Sequence, residues 1–543
     1  MPVTKAMPAR TTLYRSLRVL FYILVRIFNS RARKEACMLT PAIKAKTILI
    51  IASVLFIGLI FKARFCATGR ENTIYPFSAL DSLQHPVYID LDAIRKRGKL
   101  VALTDYSSTS YFIYKGEPMG FEFEMLSAFA HSIGVPLQVK VASDMDRIFF
   151  QLNNGEADII AANLTVTQDR SRIVAFTEPL MDTRQVLVQR RPENWKRMTS
   201  EQIDKVMVRN PADLAGKVVH VRKWSSFYER LKNLSDEIGS EIYIIQAGGD
   251  KETEQLISMV ANGEIDYTVA DENVAMINQT YYPNIDIRTP ISFKQHIAWA
   301  VRRNSPELLD ALDQWLKEEQ NTGAQRYIFA KYFRNNKAAE ERIESDYFSL
   351  NGGKISIYDD LIKTYSKKID FDWRLVASLI YEESHFDATA QSWAGAYGLM
   401  QLIPSASVQF GIDSIGATPL ESIRAGTQLL ARIDNYWKDI IPDKTERMKF
   451  DLASYNVGTG HVIDARNLAI KYGKDPGCWD ENVAWALAMK SNSKYFNDPV
   501  VKFGYCRGNI PCIYVKEIMA RYEHYCNFIK EEGADNNNSI VKE

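Results

Sequence analysis

Histidine and cysteine are both scarce in this 543-residue chain, with seven and six copies. No Cys-x-x-Cys pair and no Cys/His ligand spacing occurs, which argues against a zinc site. No metal or cofactor is expected. A basic body is also lacking. Ten of the 67 Lys/Arg side chains fall in residues 1–46 with one Glu, which leaves 57 basic against 65 acidic groups, a net of −8, for the remainder. Such a body argues against nucleic-acid binding, which needs a basic face. Low complexity is confined to the tail GADNNNSIVKE, and the charged and apolar fractions, 24% and 46%, are those of an ordinary globular protein.

The apolar run TILIIASVLFIGLIF, residues 47–61, is uncharged and flanked by Lys44, Lys46, Lys62 and Arg64. It is short against the roughly 20 residues that span a bilayer, and it fits a signal-peptide core or a short signal anchor. Met38 opens this basic-then-apolar segment and is a second candidate start. Four cysteines, Cys478, Cys506, Cys512 and Cys526, cluster near the C-terminus. In an exported domain they allow one or two disulfides.

Beyond the leader the chain is too long for one core. KLVALT, GFEFEMLSAFAHSIG, PLQVKV, DRIFFQLNNG and ADIIAANLT alternate strand and helix periods, which predicts βαβαβ and a parallel sheet. A second such set starts near Leu214, so two α/β lobes with a cleft between them are expected. From Ile355 onward helical periodicity dominates. The expected organisation is a leader and export or anchor segment (1–66), a connector (67–91), a two-lobed α/β domain (92–334) with crossings near 186–190 and 287–297, a polar linker (335–354), an all-α domain (355–530) and a polar tail (531–543).

In DWRLVASLIYEES, Glu383 continues the apolar stripe of Val376, Leu379 and Ile380, whereas Glu382 follows a more polar face. A buried carboxyl has a raised pKa, which suits a general acid near neutral pH. Pattern alone favours a helix-end glutamate turned to water over a buried acid.

Three motifs in order, ESHFDATAQSWAGAYGLMQLIP, ASYNVGTGHVIDAR and YCRGNIPCIYV, resemble those of the lysozyme-like lytic transglycosylases of bacterial cell walls. The resemblance implies an all-α lysozyme-like fold in which Glu383 is the one catalytic carboxylate. It implies substrate contacts from Ser384, Ser392, Met400, Gln401, Tyr455, Asn456 and Tyr514. Asp387 is read as a turn residue rather than a second catalytic acid. One departure stands out: Ile510 lies where relatives often carry an acidic residue, and a Cys506–Cys512 disulfide is a candidate stiffener there. The alternatives kept open are a hydrolytic muramidase and a murein sensor without catalysis.

GFEFEMLSAFA, GEADIIAANLTVTQDRSRIVAFTEPL and GEIDYTVADENVA resemble the amino-acid-binding type of periplasmic solute-binding protein. That likeness implies Arg170 on a ligand carboxylate, with Asn163 and Thr165 beside it and Asp271 on an ammonium. Guanidinium suits the first task because its planar fork grips carboxylate bidentately. Ser225 and Ser226 are candidate anion donors at a helix N-terminus, and Tyr111 a candidate ring to stack on the ligand. The partners this implies are peptidoglycan glycan strands, a murein-derived peptide or amino acid, and a membrane through the N-terminal segment. The implied location is the periplasmic side of the cell envelope, peripheral to the outer membrane or anchored in the inner one.

Overall fold

A computed structural model describes residues 85–529, apart from 143–146, 224, 249–250 and 413–415. The basic leader, the apolar run 47–61 and the polar tail lie outside the described residues. Among the described residues no helix is long and apolar enough to cross a membrane.

The α/β region opens with β1 (Leu100–Thr104), β2 (Phe112–Tyr114), β3 (Glu117–Met119), β4 (Leu137–Val141), β5 (Ile159–Ile160) and β6 (Val174–Phe176). It continues through β7 (Met181–Thr183), β8 (Gln185–Arg190), β9 (Val218–Arg222), β10 (Tyr243–Ala247) and β11 (Tyr267–Asp271). It closes with β12 (Ile285–Pro290), β13 (Gln295–Ile297) and β14 (Ala300–Arg302). Two five-stranded sheets result, in the orders β4-β1-β5-β14-β6 and β10-β9-β11-β8-β12. The strand LVALT is buried along its whole length, as a central strand covered on both faces must be.

Neither sheet is all-parallel, unlike the expectation. β1 runs parallel to β4 and β5, but β14 lies antiparallel to β5 and β6. Likewise β8 lies antiparallel to β11 and β12. Each antiparallel strand adjoins a crossing of the chain between lobes. The crossings themselves are β7 and β13, paired side by side with Asp182 opposite His296. Residues 186–190, expected at the first crossing, sit inside the second sheet as β8.

The stretch 335–354 is not the open linker its polarity suggests. It forms the helix Asn336–Ile343 and a single turn at Ser349–Asn351. Ala339, Arg342 and Phe348 are buried, and Ser349 Oγ accepts the Ile113 N–H at 2.8 Å. A few apolar anchors spaced along polar sequence suffice to pin it down.

The helical domain comprises α1 (Asp359–Lys368), α2 (Trp373–Ser384), α3 (Pro419–Trp437), α4 (Lys444–Val457), α5 (Thr459–Lys471) and α6 (Asn509–Phe528), with shorter turns between. Asp372 caps α2 by accepting the Arg374 N–H and also pairs with the Arg374 guanidinium. The apolar stripe of α2 packs on α6, where the Ser378 hydroxyl donates to the Ile518 carbonyl at 2.8 Å. Phe450 of α4 packs tilted against Trp437 and edge to face with Trp479. With twenty residues, α6 is about 30 Å long. Its far end enters the α/β domain. There Tyr525 donates to the Gly116 carbonyl at 2.8 Å, and Asn527 donates to that of Val139 at 3.0 Å.

Candidate active site

Two consecutive residues after α2, His385 and Phe386, hold positive φ (51° and 62°) without being glycine. That left-handed pair ends the helix abruptly and turns the chain away from Glu382 and Glu383. Conformations of this kind are costly and cluster at functional sites.

The two carboxylates have different fates. Glu382 forms a 2.9 Å ion pair with Arg521, whose guanidinium also lies over the Tyr381 ring. Among the described residues Glu383 has no cation of its own. It accepts a short hydrogen bond from the Tyr514 hydroxyl, and it keeps partial exposure. Loss of hydration pushes its pKa up to about 7. The Tyr514 bond acts the other way, and the Glu382 charge adds slightly to the rise. A carboxyl poised near 7 is half protonated at neutral pH, the condition for an acid that later serves as a base.

Of the residues named from the motifs, Tyr514 and Tyr455 lie against Glu383, and the others take differing roles. Tyr514 is buried on α6, and its hydroxyl reaches the acid directly. Tyr455 lies close enough for the Glu383 charge to raise its pKa, and it donates to the Met400 carbonyl at 2.8 Å. Asn456 beside it is exposed. Gln401, at φ 45°, ties its amide to the Ala390 and Gly398 carbonyls at 2.8 and 2.9 Å. Ser392 closes a tight turn by accepting the Ala396 N–H at 3.1 Å.

Two expected substrate contacts are instead internal. Met400 has no exposure, and Gly426 leaves it room, since a Cβ there would stand 2.2 Å from its sulfur. The Ser384 hydroxyl is buried and donates to the Leu399 carbonyl at 2.9 Å, lashing the helix end to the following loop. Asp387 is an exposed turn residue bonded to Thr389. Cys478, Cys506, Cys512 and Cys526 are all thiols, and Cys512 donates to the Ala484 carbonyl.

Arg521 and Tyr525 lie beyond the last of the three motifs. They follow Tyr514 by 7 and 11 residues, so the three share one face of α6, and that spacing was the available signal.

In the α/β domain the residues expected to grip a ligand meet one another across the cleft. Asn163 donates to Asp271 at 3.0 Å, and the Ser226 and Thr165 hydroxyls lie 3.3 Å apart. Arg170 donates to the Thr165 carbonyl at 3.0 Å, and its charge bears on Asp271. Burial raises the Asp271 pKa to about 7 against the pull of Arg170 and Asn163. Glu254 adds a further clasp between lobes by accepting the N–H and hydroxyl of Ser108.

Two expectations fail here. Ser225 spends both its N–H and its hydroxyl on the Arg222 carbonyl, so it offers an anion nothing. Tyr111 has no exposure; its hydroxyl meets His524 of α6 and its ring packs on Phe123 and Phe528. It belongs to the contact between domains, not to the cleft.

A family model described as bacterial extracellular solute-binding proteins, family 3, matches residues 99–335. One described as the transglycosylase SLT domain matches residues 360–476, so Tyr514 lies beyond its reach. Membrane-bound lytic murein transglycosylase F of Desulfosudis oleivorans is 35% identical over 79% of this chain and 90% of its own length. The protein of that name from Shewanella woodyi is 32% identical over 81% and 86%. Among solved structures, an ancestral arginine-binding protein bound to arginine is 25% identical, covers 44% of this chain and 99% of its own, and gives a TM-score of 0.37.

Proposed function

The chain belongs to the membrane-bound lytic murein transglycosylase F family and is a peptidoglycan lytic transglycosylase behind a solute-binding-like domain; from that premise we propose that Glu383 does the chemistry alone. It protonates the oxygen linking N-acetylmuramic acid to N-acetylglucosamine, and the C1–O4 bond breaks. The muramic 6-hydroxyl then attacks C1 and returns its proton to Glu383. The new O6–C1 bond gives a 1,6-anhydro end, and no water is consumed.

An ordinary glycosidase places a second carboxylate as nucleophile or base. Here the nucleophile is tethered to the sugar, and tethering supplies effective molarities of roughly 10⁵ M or more. The observation that carries this reading is the split between the paired acids: Arg521 neutralises Glu382, while Glu383, with no cation beside it among the described residues, has its pKa raised to about 7. Tyr514, Tyr455, Asn456, Gln401 and Ser392 form the groove around it, the last two through the loop they brace.

The α/β domain regulates that groove. A murein-derived peptide or amino acid between Arg170 and Asp271 replaces the cross-lobe contacts of Asn163 and Thr165, and α6 carries the change to Tyr514. The protein works on the periplasmic side of the envelope, with residues 47–61 as its export or anchor segment.

The test is digestion of purified murein by the full chain, with the fragments weighed. Anhydro ends support the reading. Reducing ends mean a muramidase, and intact murein means a sensor. Glu383→Gln abolishes cleavage while the fold persists. Adding a murein tetrapeptide raises both thermal stability and turnover; if it changes neither, the regulatory half of the reading is wrong.

A further inference from the structure

We infer that Phe503 forms an outlying sugar-stacking subsite, at which the glycan strand rests beyond the bond being cut. Its ring is 55% exposed. A lone exposed apolar ring is ordinary on a protein surface, so what distinguishes Phe503 is how it is held.

The ring is held from beneath by an expensive device. The backbone N–H groups of Lys502 and Phe503 each donate to the Asp464 carboxylate at 2.8 Å. Asp464 is paired with Lys490 at 2.7 Å, and both side chains are fully buried. Lys490 also lies 3.0 Å from His461 Nδ1. Burying an ion pair costs several kcal/mol of hydration per charge, and specifying one geometry is its best-attested use. Here the geometry specified is that of an exposed loop.

The position of the ring relates it to the groove. One edge lies on Gly460, where a Cβ would stand 2.6 Å from the ring, so only glycine lets Phe503 settle there. Gly460 follows Asn456 by four residues, at the turn from α4 into α5, and the His461 ring is 6.2 Å away. Phe503 therefore packs on the start of α5, four residues along the chain from Asn456.

An uncharged N-acetylhexosamine offers the matching partner. Its ring has an apolar face of C–H groups, and its polar groups lie around the edge. Tyr505, two residues further along, is 54% exposed and edge-on to Phe496.

This inference rests on the glycan lying beside Tyr455 and Asn456, and the experiment separates the two claims. Initial rates are measured for wild type, Phe503→Ala and Phe503→Trp on long glycan strands and on a tetrasaccharide. For Phe503→Ala, KM on long strands rises about tenfold with kcat within twofold, while the tetrasaccharide is cut as before. Phe503→Trp restores wild-type KM. A second readout, sedimentation of long strands with the inactive Glu383→Gln protein, shows the same loss when Phe503→Ala is added. Wild type that cuts nothing would refute the enzyme reading itself. Normal cleavage with unchanged KM on long strands, or equal change on both substrates, overturns the subsite. So does loss of binding to phosphatidylethanolamine–phosphatidylglycerol vesicles with glycan binding intact, which would make Phe503 a membrane contact.

Discussion

The carbonyl oxygen of Gly116, at the tip of a hairpin in the α/β domain, accepts a 2.8 Å hydrogen bond from Tyr525 of the helical domain. Tyr525 sits three helical turns beyond Tyr514, which holds Glu383. The same tip presses on the end of the catalytic helix, because a Cβ at Gly116 would stand 2.8 Å from the rings of both Phe386 and Tyr381. Gly116 is left-handed as well (φ 84°). Two domains thus share one rigid element and one point of contact next to the acid.

Gly116→Ala therefore carries both a backbone penalty and a clash. It lowers stability by about 1–3 kcal/mol and also lowers turnover on murein, because Phe386 must shift. Thermal unfolding read beside kcat checks this. A fall in stability with unchanged kcat would mean that the hairpin does not position the acid.

Tyr514→Phe tests the control of proton affinity. The catalytic acid must be protonated, so kcat/KM falls as pH rises through about 7. The Tyr514 bond favours the ionised carboxylate and lowers its pKa. Removing the hydroxyl raises that pKa, and the falling limb moves to higher pH, by about one unit. A pH profile of kcat/KM on murein reads the shift directly.

Asp451 predicts how stability depends on pH. It is fully buried on α4 beside the Asp434 carboxyl, with which it shares a hydrogen bond only when one of the two is protonated. Burial and the nearby Asp434 charge raise its pKa to about 8. The folded protein then keeps a proton that the unfolded chain releases near pH 3.8, so stability is lost as pH rises from there through about 8. Asp451→Asn removes this slope. Its melting temperature exceeds that of wild type at pH 8, and the gap closes towards pH 5.

The clasp between lobes predicts a change of shape. Glu254, raised in pKa by burial, holds both the backbone and the hydroxyl of Ser108. Glu254→Ala removes the acceptor and opens the cleft. Small-angle scattering then gives a larger radius of gyration than wild type, and the murein tetrapeptide reverses the increase.

How far the sequence disclosed this site depends on the range of each contact. Glu383 was separable from Glu382 because both lie within one helix, where the apolar stripe decides which faces inward. The family resemblance implied Tyr514 and Tyr455, but it says nothing of side-chain direction. Hence Met400 and Ser384 read as substrate contacts while the fold turns them inward. Tyr111 read as a cleft residue because its partner, His524, lies more than 400 positions away, and no local period records such a pairing. The stretch 335–354 misled for a related reason: Ala339 and Phe348 are buried by elements distant in sequence.

The claim beneath all of this is that the fold keeps Glu383 protonated near neutral pH. Titration of its side-chain carboxyl by carbon-13 NMR in the intact protein tests that claim most directly. The account predicts a midpoint close to 7, raised further in Tyr514→Phe. A midpoint at the ordinary glutamate value of 4.5, unmoved by that substitution, would contradict it.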